Sequence, residues 1–275
     1  MLASSSTLSR VEASHHNASQ LLLRGTRDGD LAATLLSSSS TSTAERTPLF
    51  TWSDLLRIVS SGNLQHLSRH PDSLREYFAW MDSIKSTYGS VTSFLLSERF
   101  TATKLLEKAS PTTKSQVVGE SRCFRSNFVP GVDCQILLND WPYSIPHDAH
   151  HYVVWSCCPI LHRDLVFEQD VDEETARLAW GIVSKRGLCG TLTPTAGLQI
   201  PTIKDHSTHL PDLLPSFPEK EERLQQTLQT ACSNLVTFIE AHWDTSTYEV
   251  AFFANPPSLQ SVPSLAHFHV LVKKI

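Results

Sequence analysis

The chain has no apolar run approaching the roughly 20 residues that a membrane helix needs. Glycine is scarce, at 10 of 275 residues, and no GxGxxG turn, P-loop or GxSxG elbow occurs. Those motifs need glycine where backbone meets a phosphate or turns sharply at a nucleophile. The dinucleotide, NTPase and common serine-hydrolase readings therefore fall away. The six cysteines show no CxxC spacing, and the adjacent Cys157 and Cys158 are poorly placed to share a disulfide or one metal. Reduced thiols and a cytoplasmic location are the expectation. A secretory signal is not expected, because Leu21–Leu23 is too short for its apolar region. The first 27 residues are Ser-rich, with Arg10, Arg24 and Arg27 against the single acid Glu12, a composition that transit peptides share. The formal net charge of −5 does not advertise nucleic-acid binding.

What is present suits one soluble domain behind a polar tail. Residues 1–47 end in a Ser/Thr tract and have too little apolar surface to order themselves, so a disordered tail is expected. A single domain is expected over 48–275. Thr51 or Ser53 can cap a first short helix. Pro71 opens a second helix, in which Leu74, Tyr77, Phe78, Met81 and Ile84 recur at helical spacing. Tyr88-Gly89-Ser90 breaks it, and another helix is expected through Leu105, giving a helical hairpin. Short β-type runs follow at 134–138 and 150–156. Acids open a helix near 170–180, and 187–216 reads as a long loop of the kind that forms lids. A long amphipathic helix spans 219–242, and strands at 250–253 and 267–272 close the chain. Helices covering a small antiparallel sheet make an α+β class.

Several clusters can carry chemistry. His267 and His269 lie two apart on a strand and so share a face. Paired imidazoles can relay protons near neutral pH or simply pack. No third ligand at zinc-type spacing accompanies them, so no metal is expected. Asn139-Asp140-Trp141-Pro142-Tyr143 and Asn255-Pro256-Pro257 are polar corners at strand ends, where Asn and Asp often only bond their own turn. Asp170, Asp172, Glu173 and Glu174 either complement a helix dipole or hold a cation such as a guanidinium. One of His150 and His151 shares a face with Val153 and Trp155.

Taken together, Tyr88-Gly89-Ser90, Asn139–Tyr143, His151–Ser156 and the Phe253-Ala-Asn255…Ser261-Val262-Pro263…His267-Phe-His269-Val block resemble the fungal N-acetylglucosamine-induced-protein family. The similarity runs from about residue 50 to the C-terminus. It implies kinship with a branch that comprises arginine-containing cyclodipeptide synthases. Those enzymes condense arginyl-tRNA with a second aminoacyl-tRNA into a cyclic dipeptide for secondary metabolism, without a cofactor. An acidic DDxxE motif is needed for activity in that branch. Its nearest counterpart here is Asp170-Val171-Asp172-Glu173-Glu174, with Val171 in place of the second Asp. The resemblance thus implies catalytic roles for Asp170, Asp172, Glu174, His267 and His269. It implies substrate-binding roles for Asn139, Asp140, Trp141, His151 and Asn255. A weaker similarity, through Gln260-Ser261-Val262 and the alternating histidines, is to histidine-triad nucleotide hydrolases and transferases, with Leu271 where the third histidine would stand. A non-catalytic sugar-response protein is the third expectation.

Overall fold

The computed structural model describes residues 46–109, 122–207 and 218–275. The expected Ser-rich tail lies outside them, apart from Arg46 and Thr47. In chain order the helices before the sheet are α1 (Trp52–Ser60), α2 (Pro71–Tyr88), α3 (Val91–Phe94), a π-helical turn (Leu95–Arg99) and α4 (Thr103–Ala109). Then come β1 (Cys134–Leu138), β2 (Ala149–Ser156), α5 (Asp164–Phe167), α6 (Glu173–Arg186), β3 (Leu188–Thr193), β4 (Gly197–Gln199) and α7 (Ile203–Ser207). The chain closes with α8 (Pro218–His242), β5 (Tyr248–Ala254) and β6 (His267–Lys274). The six strands form one sheet in the order β1-β2-β6-β5-β3-β4, every pair antiparallel. The architecture is α+β, as expected. No helix among the described residues is long and apolar enough to cross a membrane.

Strand register divides the chemistry between two faces. Trp155 lies opposite His267, Val153 opposite His269, and His151 opposite Leu271. Directly opposed residues share a face, so all six point one way, together with Phe253, the partner of His269 on β5. The intervening Tyr152, Val154, Phe268, Val270 and Phe252 point the other way. They are buried with Ala179, Ile182 and Val183 of α6 and Leu224, Leu228, Leu235 and Phe238 of α8. Over the histidine face, α1 covers the β5–β3 side, packing Leu55 and Val59 with Cys189, Ala251, Phe253 and Leu271. Farther toward β1, Leu95, Phe100 and Leu105 pack with Val153 and Trp155. The histidines lie between these two coverings and are buried.

Local signals explain the element ends. Thr51 forms a capping box with Asp54 at the start of α1, and Pro71 occupies the first turn of α2. Two expectations are corrected. The second arm of the hairpin is not one helix: it breaks between the π turn and α4. There the Gln135 side chain accepts from the Thr101 and Ala102 N–H groups and donates to the Arg99 carbonyl. Side-chain bonds from the sheet thus replace helical ones. The stretch expected as a long loop contains the hairpin β3–β4 and helix α7, while 208–217 lie outside the described residues. Residues Leu188–Leu192 are all buried, so no polar alternation marks the strand. Gly190 reads as a breaker, yet a Cβ there would come within 2.8 Å of the Gln199 carbonyl oxygen and the Phe252 ring. Close strand packing requires the glycine.

Candidate active site

The cleft is built around three histidines. His267 and His269 come from β6 and His151 from β2, and all three are buried, at 4%, 8% and 2% exposure. Neither strand histidine is solvent-exposed. His267 packs on Trp155, with ring centroids 4.6 Å apart, and His269 stacks on Phe253 at 4.8 Å.

Hydrogen bonds fix where the protons sit. The Asn139 Oδ1 accepts from the Trp141 N–H at 3.0 Å, which turns its Nδ2 toward the His151 ring. The Tyr143 N–H donates to His151 Nδ1 at 3.3 Å. With Nδ1 accepting, neutral His151 carries its hydrogen on Nε2 and donates it to His269 Nδ1, 2.9 Å away. His269 in turn keeps its hydrogen on Nε2. His267 has the opposite tautomer: its Nδ1 donates to the Leu265 carbonyl at 2.7 Å, leaving the Nε2 lone pair available.

Burial keeps these rings neutral. Desolvation, followed by the nearby Arg69 charge, pushes His151 down to about 3. His269 lies well below the ordinary imidazole value, through burial first and then the neighbouring His151, His267 and Arg69. Burial also lowers His267, against the opposing bond to Leu265.

Cations and aromatics wall the cleft. Arg69 donates from Nε to the Trp141 carbonyl at 2.9 Å and lies 4.1 Å over the Tyr77 ring. Arg99, at the end of the π turn, grips the Asp140 carboxylate with both Nη atoms, Nη2 reaching Oδ1 at 3.1 Å. Trp80 and Trp141 pack at 5.6 Å between centroids. The cleft is open to one side and has a volume of about 80 Å³, with Asn139, Asp140, Trp141, Trp155, His267 and His269 among its lining.

The expected site residues therefore separate into three groups. Asn139, Asp140, Trp141, His267 and His269 meet in the cleft. His151 and Asn255 stand behind it. His151 orients His269, and buried Asn255 hydrogen-bonds the side chain of Tyr143, whose ring stacks on His151. Neither lines the cleft; both support its residues from behind.

Asp170, Asp172 and Glu174 form the third group and are not brought to the histidines. Asp172 is the N-cap of α6: it accepts from the Thr175 N–H and hydroxyl, and these bonds hold it down at about 2. It also pairs with Arg223, and Glu174 pairs with Lys220, both on α8. Asp170 lies just before this cap. Helices α6 and α8 cover the opposite face of the sheet, so the cluster serves a helix start and its packing. The expectation that the acids act beside His267 is corrected on that ground. Basic residues of the helical segment and of the stretch before β1 are engaged with acids. Lys104 pairs with Asp133, Arg125 with Glu168 and Arg122 with Asp164. Lys114 lies outside the described residues. Among the described residues no group of three or more His, Cys, Asp or Glu side chains is arranged to hold a metal ion.

Sequence reasoning missed Arg69, Arg99, Tyr77 and Trp80. They reach the cleft from the helical segment, far along the chain from β6, and no spacing links them to it. Trp155 was within reach, since strand alternation puts it on the His151 face.

Comparison with known proteins adds little beyond family membership. No curated protein matches the chain. A solved structure titled "Crystal Structure of HTC1" is similar at 16% identity, covering 82% of this chain and 86% of that one, with a TM-score of 0.44. Over residues 51–186 and 214–273, the chain belongs to the family described as "Protein of unknown function (DUF3605)".

Proposed function

We propose that the chain is an aminoacyl-tRNA-dependent cyclodipeptide synthase of the arginine-containing kind that its sequence blocks resemble, with its chemistry at the histidine cleft. The observation that carries this reading is the fixed tautomer of His267: a neutral imidazole whose Nε2 lone pair is available in a buried cleft. Dipeptide formation needs such a base. The α-amine of one aminoacyl ester attacks the carbonyl carbon of the other, and its proton passes to His267 Nε2. The ester C–O bond breaks, and the departing 3′ oxygen takes the proton back. A second, intramolecular attack closes the ring and frees the other tRNA. The His269 Nε2–H is a donor suited to the carbonyl oxygen as it becomes negative. No nucleotide hydrolysis is required, because the ester is already activated.

The walls carry groups suited to such a substrate. Trp80 and Trp141 suit stacking of a terminal adenosine, a sequence-tolerant contact. Asp140 already holds a guanidinium, that of Arg99, in the two-toothed geometry that an arginyl side chain would use. The test is expression in a host with ordinary tRNA pools, followed by a search for Arg-containing cyclic dipeptides. Folded protein that yields none, and that leaves arginyl-tRNA esters intact in vitro, refutes the proposal.

A second reading has its own support. The same Nε2 lone pair beside Arg69 and Arg99 suits attack on a phosphorus atom. It predicts release or transfer of a nucleoside monophosphate, with His267 rather than His269 as the attacking group.

A further inference from the structure

His267 forms part of two cavities. Besides the cleft, it lines a larger neighbour of about 520 Å³. That volume lies within the range of small-molecule sites, roughly 300–1,000 Å³. The two chambers differ in chemistry. The cleft has Arg69, Arg99 and Asp140 in its walls, whereas among the described residues no Asp, Glu, Lys or Arg lines the second chamber. Its apolar walls are Leu96, Leu105, Ile160, Leu161, Pro263 and Leu265, from four different segments, and Ser156 and Gln260 add polar groups to the lining. Leu265 also supplies the carbonyl that fixes the His267 tautomer. At the rim a hydroxyl bond of 2.5 Å between Thr92 and Ser264 ties α3 to the loop before β6.

We infer that this second chamber is a subsite of the same active site and receives the uncharged, apolar side chain of the second aminoacyl ester. The inference rests on the proposed function and adds its second substrate class. A charged side chain would give up hydration there and meet no opposite charge among the described lining, whereas an aliphatic one gains by leaving water. Placement on the far side of His267 sets this ester against an amine held in the cleft, with the base between them.

The test uses the full chain and three 3′-amino-3′-deoxyadenosine probes: one unacylated, one carrying glycine and one carrying leucine, each acyl group joined by an amide in place of the ester. Calorimetry is expected to show the leucyl probe binding at least about tenfold tighter than the glycyl one. Leu161→Asp, or Thr92→Trp filling the chamber from its partly exposed rim, should make the two acylated probes bind alike, and Leu161→Met should restore the difference. If both acylated probes bind wild-type protein equally, the subsite is refuted while the cleft reading stands. A leucyl advantage that survives in both variants places the side chain elsewhere and also refutes it. If none of the probes binds, the aminoacyl-ester reading itself fails and takes the subsite with it.

Discussion

On β6, Phe268 and Val270 are buried beneath α6 and α8, while His267 and His269 point into a cleft on the other side. Neighbours along one strand thus belong to different systems. The covered face contributes apolar burial and, among the described residues, carries no histidine or acid in its centre. The histidine face places three imidazoles where burial forbids charge, and fixes their hydrogens with Tyr143, Leu265 and one another. The difference teaches that strand alternation can separate folding from chemistry at single-residue resolution. It also relocates the acidic cluster: Asp172 and Glu174 belong to the covered side, where they start α6 and pair with α8.

Substitutions should break this division unequally. His267→Ala removes the base, and ester consumption is expected to fall by about 10²–10⁴-fold. Single-turnover assays with arginyl-tRNA measure this, and circular dichroism should show the sheet retained. Phe268→Ala, one residue away, should cost about 3–5 kcal/mol of stability by leaving a cavity. Denaturant titration reads that loss, and the activity of the remaining folded fraction should be unchanged.

Acid sharpens the contrast next. The histidines have lowered pKa values in the folded state and about 6.5 unfolded. Above that value both states are neutral and the contribution is complete. As pH falls below about 6.5 the unfolded chain takes up protons that the native cleft refuses. Stability is then lost progressively, toward about 3 for His151. Between those two values His151 should contribute about 1.4 kcal/mol per pH unit. Unfolding free energies between pH 6.5 and 5 should show this slope, and His151→Asn should reduce it by one histidine's share. The smallest effect belongs to Glu174→Gln. An exposed pair with Lys220 should change stability by no more than about 0.5 kcal/mol and leave turnover unaltered.

Much of the frame was legible from residues. Pro71 and the apolar spacing after it marked α2, and alternation at His151-Val153-Trp155 marked the face of β2. The pair His267 and His269 marked a face that lines the cleft. What escaped had physical causes. β3 is buried on both sides and carries Gly190 for close packing, so it lacked a strand's usual pattern. Asp172 looked like a ligand because a carboxylate that caps a helix has the same sequence as one that binds a cation. His151 and Asn255 read as cleft residues because their corners adjoin it, yet they stand one layer behind. Arg69 and Arg99 reach the cleft only through the packing of the helical segment.

The central claim is that chemistry resides in the histidine cleft and not at the acidic start of α6. The most direct measurement compares His267→Ala with Glu174→Gln side by side, following loss of the arginyl-tRNA ester and appearance of an Arg-containing cyclic dipeptide. The predicted result is abolition by His267→Ala and full retention by Glu174→Gln. Retention in His267→Ala with abolition in a folded Glu174→Gln protein would contradict the account.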